Sequence, residues 1–470
     1  MSQQQSGGLL RGLGGPMATA VVVGTVIGSG IFVKPRSIAG NVPDFSYIAL
    51  LWVTGGLLTL LGALALAEVA VLFPKAGGNY VFLREGYGRM AGFLWGWVEF
   101  WIIRAASLAA LATIFTISLH DILRQLEGGS EVLLFWEERA VTAGVILALA
   151  LVNVRGVRWG GGLQLFITMV KVLSLAAIMV LPIVIVSRAV AVEPRNLVLR
   201  PAPEFSLGGM GTAFLGVLWA YHGWMNLAPV AEEVARPQRN IPIAFLGGVG
   251  IIIFCYLGVN YAYHAVVPQR EMAVLPESTT VATEFCSRLL GPIGVLLAST
   301  AVMCSVFGAL NGNLLVGPRL LYAMGEDGLA PRALGAVHPR YHTPARAILV
   351  MASWAVLLVL AVALGIQLEV LDPMKSPFDV LTDYAMFGAI TFETLAVTTI
   401  FVFRRKLPDA NRSYRCWGYP VVPIVYLILP ALLLGNMFLK QTTEAAAGMA
   451  FIALGAAVYA FFLMKPARAD

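Results

Sequence analysis

The apolar positions of this chain fall into long, nearly unbroken runs, such as "LWVTGGLLTLLGALALAEVAVL" at residues 51–72. A bilayer core of roughly 30 Å takes about 20 apolar residues per helix, and about twelve such runs alternate here with short polar connections. The pattern predicts spans near 16–39, 46–72, 92–123, 138–154, 160–188, 208–234, 241–266, 290–325, 345–366, 378–403, 420–438 and 445–464. A transmembrane β-barrel would instead show segments of about ten alternating residues. The expected fold class is therefore an all-α membrane protein.

Two runs are interrupted where a membrane helix can least tolerate it. In "VVVGTVIGSGIFVKP", Val21 to Pro35, the middle is Gly28, Ser29 and Gly30. Each unsatisfied backbone group in hydrocarbon costs several kcal/mol, so unwound backbone persists there only against a ligand or an enclosed cavity. Glycine lets another group approach closely and permits φ values that other residues resist. The amides opening the outer half-helix would favour a carboxylate, and the carbonyls closing the inner half, near Val26 and Ile27, would suit an ammonium. One break can thus hold both ends of a zwitterion. A competing reading makes Gly24 and Gly28 a small-residue stripe for close helix packing. The second interruption lies five spans later, in "TAFLGVLWAYHGWMNLAPVAEE", at Trp219, Ala220, Tyr221, His222 and Gly223. Paired breaks at corresponding places are the mark of inverted-repeat transporters.

Composition agrees, with 59% hydrophobic and 12% charged residues over 470 positions, where soluble domains have about 45–50% and 25%. The net charge of +6 is not gathered into one face or tail, which excludes a nucleic-acid surface. Basic clusters at Arg332, Arg340 and Arg346, and at Arg404, Arg405, Lys406, Arg412 and Arg415, alternate with acidic connections carrying Glu127, Glu131, Glu137, Glu138, Glu369 and Asp372. This asymmetry predicts a cell-membrane protein with both termini cytoplasmic. The N-terminal stretch reads as uncleaved. Cys255, Cys286, Cys304 and Cys416 form no CxxC pair, so neither a disulfide frame nor a metal site is expected, and no cofactor. An ATP-driven pump is disfavoured by the lack of a GxxxxGK[ST] loop and of any connection long enough for a nucleotide domain, and HExxH or GxSxG hydrolase motifs are absent. A catalytic arrangement dispersed over several spans, and a channel, remain as readings of other classes.

At this point the residues resemble a family. "GTVIGSGIF", "FPKAGGNYVFLREGYG", "WAYHGW" followed by "EE", "FGALNGNLLVGPRLLYAMGEDGLAP" with "HPRYHTP", and "YRCWGYPVVP" are together similar to the amino acid–polyamine–organocation superfamily, in particular its L-type amino acid transporter branch. The resemblance implies a five-plus-five inverted repeat with two extra helices: a tail at 1–15, a first repeat at 16–188, an external connection at 189–207, and a second repeat at 208–403. A cytoplasmic connection at 404–419, spans 11 and 12 within 420–464, and a tail at 465–470 complete the chain. It further implies sodium-independent amino acid transport rather than enzymatic activity.

The site roles follow from the same resemblance. The substrate carboxylate would meet the amides of Ser29 and Gly30, and the ammonium the carbonyls of Val26, Ile27, Trp219 and His222. Trp219 would close over the substrate from outside. His222 stands where relatives more often carry Gly, or Asp in carriers of cationic amino acids. Its bulk and its lack of fixed negative charge point to small or medium neutral substrates, although a buried imidazole can equally be structural. Lys171, flanked by apolar residues, would put its ammonium where sodium-coupled relatives hold sodium between spans 1 and 8, with Ser305 beside it; snorkelling to the membrane face is the alternative. Lys171 and His222 are also the candidate titrating groups for a proton-coupled mechanism, against obligatory exchange. Arg104 matches a family arginine, with Ala105 in place of the usual proline, and its partner cannot be read. Asn311 and Gly312 read as packing residues. Glu232, Glu233, Arg236 and Arg239, with Arg84 and Glu85, read either as an inner gate or as solvated helix ends. Glu393, inside span 10, has no assigned role. The animal members join a single-span subunit through a cysteine between spans 3 and 4, and "HDILRQLEGGSEVLLFWEER" has none, so no disulfide-linked partner is expected.

Overall fold

The computed structural model describes residues 9–127, 132–185, 194–197, 206–276, 279–369, 377–440 and 442–463. Glu131, Asp372 and much of the expected 189–207 connection and both tails lie outside them.

The described residues are almost wholly helical: α1 Gly15–Val26, α2 Gly30–Asn41, α3 Phe45–Leu72, α4 Asn79–Tyr87, α5 Arg89–Val98, α6 Ala105–Leu126, α7 Phe135–Val154, α8 Val157–Ile185 and α9 Leu207–Tyr221. There follow α10 Pro237–Val266, α11 Gln269–Ala273, α12 Val281–Leu290, α13 Pro292–Val316, α14 Pro318–Glu326, α15 Ala345–Gln367, α16 Pro377–Lys406, α17 Val421–Lys440 and α18 Thr442–Val458. A π-helical stretch, Glu99–Arg104, joins α5 to α6, and a 3₁₀ stretch, Trp224–Glu233, follows α9. Among the described residues nine helical runs are long and apolar enough to cross a bilayer. The remaining predicted spans are helical too: α7 carries Glu137 and Glu138 in its first turn, α9 has only 15 residues, and Ala445–Phe461 is a shorter apolar run.

Local chemistry explains the boundaries. Asp44 caps α3 by accepting from the Ser46 amide at 2.8 Å, and Thr280 caps α12 by accepting from Thr283, each pairing an otherwise orphaned first-turn N–H. The predicted span 290–325 is two helices, because Pro318 at the start of α14 cannot continue the hydrogen-bond ladder. The short helices α4, α11 and α12 were not among the predicted spans; they lie in the connections.

The centre of the bundle is a continuous apolar core that includes Trp52, Phe245, Tyr256 and Tyr221. Helix α1 packs against α8 and α10, α2 against α9, and α13 against α6 and α8. Gly24 makes the first of these approaches possible, since a Cβ there would stand 2.2 Å from Gln164 Nε2 and Thr168 Oγ1. The small-residue packing reading and the broken-helix reading of span 1 thus both hold, for different glycines.

At one end of the bundle, Leu13 exchanges backbone hydrogen bonds with the chain where the 3₁₀ stretch ends. Its amide donates to Glu233 O at 2.9 Å and its carbonyl accepts from Ala235 N at 2.8 Å. Glu68 of α3, fully buried, is held bidentately by Arg404 at 2.7 Å and lies 3.1 Å from Arg412 Nε. These two arginines, read from sequence as part of a basic cluster, anchor the connection before α17.

Candidate functional site

Both predicted interruptions are present. Helix α1 ends at Val26, Ile27 turns out of helical geometry at ψ 87°, and α2 begins at Gly30. In the sixth segment α9 ends at Tyr221, His222 is extended at ψ 144°, and Gly223 takes φ +100°, a left-handed value that a side chain resists. The chain beyond it is 3₁₀ rather than α; Pro229 within it supplies no N–H.

The two breaks touch. A Cβ on Gly30 would lie 2.5 Å from Ala220 Cα, so only hydrogen fits between the segments. Gly30→Ala is therefore expected to lower initial uptake in liposomes by about tenfold or more, in line with the roughly 1–3 kcal/mol cost of over-packing. Wild-type rates in that variant would show that the contact is not maintained during transport.

The breaks border a small cavity of about 30 Å³ lined by Thr25, Val26, Gly28, Ser29, Gly30 and Trp219, and further by Ser107, Leu111, His222, Gly223, Asn226 and Asn313. Ser29 is 1% exposed and Ser107 5%, and neither hydroxyl has a hydrogen-bond partner. Buried polar groups are rarely left so. The first amides of α2 have no intrahelical acceptor either.

The carbonyls of the breaks are partly engaged. Tyr256 Oη on α10 lies 2.9 Å from both Val26 O and Ala220 O, and Trp219 O accepts from His222 N at 3.1 Å. Lys171 Nζ donates to Gly24 O at 2.7 Å and Ile27 O at 2.6 Å, and Ser305 Oγ to Ile27 O at 3.2 Å and Gly28 O at 3.3 Å. The ammonium is 1% exposed. It points inward at the break rather than snorkelling, and Ser305 joins it on Ile27 O.

Arg104 gains its partners. It is bound to Glu99 with Nε at 2.9 Å, to Asn226 Oδ1 at 3.1 Å, and by a further bond to Asn313 Oδ1. Glu393 gains one as well: His222 Nε2 lies 3.0 Å from Glu393 Oε1, and the imidazole lies nearly parallel to the Trp219 ring, at 11° and 5.9 Å between centroids. Asn311 is bonded to Asn153 and Gln164, both at 2.9 Å, which ties α7, α8 and α13 together. Of the expected inner charges, Glu233 pairs with the fully buried Arg319 at 2.6 Å, Glu232 accepts from the Ala76 amide, and Arg84 pairs with Glu85 and Asp327. Ser107, Asn226 and Asn313 were not anticipated as lining residues.

Two broken helices meeting at a polar cavity inside a polytopic helical bundle are the architecture of a membrane transporter. A family model described as amino acid permease matches residues 13–462, and the chain belongs to that family, within the amino acid–polyamine–organocation superfamily. It is 30% identical to the serine/threonine exchanger SteT of Bacillus subtilis, over 99% of both chains. It is also 30% identical to the human large neutral amino acids transporter small subunit 2, over 96% of this chain and 80% of the relative. With the human b(0,+)-type amino acid transporter 1 it shares 28% identity, over 98% and 88%.

Proposed function

We propose that this permease is a sodium-independent exchanger of small or medium neutral L-amino acids, working by alternating access in the cell membrane with both termini cytoplasmic. The observation that carries the reading is the convergence of both helix breaks on one cavity in which the Ser29 and Ser107 hydroxyls stand buried and unpartnered. An α-carboxylate fits against the Ser29 and Gly30 amides and these hydroxyls. The ammonium would be received among the break carbonyls at Val26, Ile27, Trp219 and His222, of which Val26 O also faces Tyr256 and Ile27 O already accepts from Lys171 and Ser305; Gly223 lines the cavity, with Ala220 and Tyr221 behind it. Trp219 covers the outer side as an apolar lid. Lys171 and Ser305 act as a fixed substitute for a mobile cation at the first break.

The proposed architecture is twelve spans, as a five-plus-five repeat (16–188 and 208–403) plus the pair within 420–464. One relative named as an exchanger supports the mode of transport, and the cysteine-free 120–139 connection supports action without a disulfide-linked subunit. A second reading, proton-coupled symport or facilitated uniport, is favoured by the titratable His222–Glu393 pair beside the cavity.

Reconstitution separates these. Labelled alanine uptake into liposomes is expected to rise about tenfold or more when unlabelled alanine is loaded inside, the size of coupling that separates two carrier states by about 1–3 kcal/mol. Uptake driven by an inward proton gradient into empty liposomes would establish the second reading instead. Uptake that does not saturate would indicate a channel.

A further inference from the structure

We propose that Glu393 is a latent specificity determinant of this carrier, and that His222 excludes cationic amino acids by walling its carboxylate off from the substrate cavity. The inference rests on the amino acid transport reading above and concerns which side chains that site admits.

The imidazole of His222 is a partition. On one side it borders the central cavity with Ser29 and Trp219. On the other it borders a separate small cavity of about 40 Å³, lined by Leu218, Met386, Ile390, Tyr426 and Glu393 among others. The partition is held from two directions, by the Glu393 bond at 3.0 Å and by the parallel Trp219 ring. Neither side chain is in open water, at 14% and 15% exposure.

The charged and titratable groups facing the pair are few. Tyr221 of α9 and Tyr426 of α17 line the lateral cavity. Glu99 and Arg104, which share a third cavity with Glu393, are bonded to each other and offset one another. Glu393 is thus left to His222. A buried carboxylate deprived of its partner is costly unless another cation replaces it.

Removing the imidazole would therefore do two things at once. It would join the two cavities into one elongated space, and it would end that space on an uncompensated carboxylate. Such a site takes a long side chain with a terminal ammonium or guanidinium, and takes long apolar ones on volume alone. With His222 in place it takes short neutral ones.

The test uses the full chain in liposomes, with labelled alanine uptake competed by serine, leucine and lysine. Wild type is expected to be inhibited by serine and not by lysine. In His222→Gly, the lysine concentration that halves uptake should fall by about tenfold or more, the worth of one charge-assisted hydrogen bond. In the double variant His222→Gly/Glu393→Gln, competition by leucine should persist while that by lysine disappears. Lysine competition that is unchanged in His222→Gly, or that survives in the double variant, would overturn the proposal. Strong lysine competition in wild type would overturn it without any variant. A wild-type protein that moves no amino acid would instead refute the transport reading itself.

Discussion

Lys171→Ala is expected to reduce amino acid uptake by about a hundredfold or more. The ammonium makes two bonds, to Gly24 O and Ile27 O, and hydrogen bonds to charged groups contribute about 1.5–3 kcal/mol each. Both acceptors flank the first break, where no continuing helix can serve them. Alanine leaves Gly24 O without this donor and Ile27 O with Ser305 alone, and a buried carbonyl that loses its partner is expensive. The packing around Gly308, where a Cβ would stand 2.7 Å from Lys171 Cε, shows how closely this side chain is fitted. Initial rates per mole of reconstituted protein check the expectation. Wild-type uptake should be unchanged when sodium is replaced by choline, and a sodium requirement would remove the role assigned to this lysine.

The second large effect is on stability. Arg319 and Glu233 are paired at 2.6 Å with both side chains 0% exposed. Deleting one partner of a buried ion pair typically costs about 3–5 kcal/mol, whereas replacing both by apolar residues is often neutral. Glu233→Ala is accordingly expected to lower the melting temperature in detergent markedly, and the double variant Glu233→Ala/Arg319→Met to recover most of the loss. The pair joins the residues after the second break to α14, while the Glu233 backbone also accepts from Leu13. Its loss would therefore loosen the start of α1 and the 3₁₀ stretch together. A melting temperature equal to wild type in the single variant would show that the pair contributes nothing net.

The sequence made the breaks legible because each defies its surroundings: Gly-Ser-Gly and Tyr-His-Gly have no business inside an apolar run unless something uses the backbone they free. Lys171 was legible for the same reason, as one cation among apolar neighbours. Ser305 followed only through the family resemblance. Arg104 and Glu393 were visible as charges inside apolar runs, but Asn226 and Asn313 for the one and His222 for the other lie on distant segments, so no local periodicity relates them. The signal for the His222–Glu393 pair was present in principle, since a carboxylate inside a span demands a counter-charge and an imidazole at a helix break was available. Ser107, Asn226 and Asn313 gave no such signal, because single small polar residues are common on packed membrane helices and only the fold decides which of them face a cavity. The 3₁₀ character of Trp224–Glu233 was likewise hidden, although Pro229 was a hint against a regular α-helix.

Tyr256 carries a single hydroxyl hydrogen, yet its oxygen lies equally near two acceptors, one in each interrupted segment. Whichever carbonyl is served, the other goes without, and rotating the O–H exchanges them. The difference between these arrangements is at most the net worth of one ordinary hydrogen bond, about 0.5–1.5 kcal/mol. A latch this indifferent lets the two segments part with little penalty whichever one moves, which makes it a fulcrum rather than a lock.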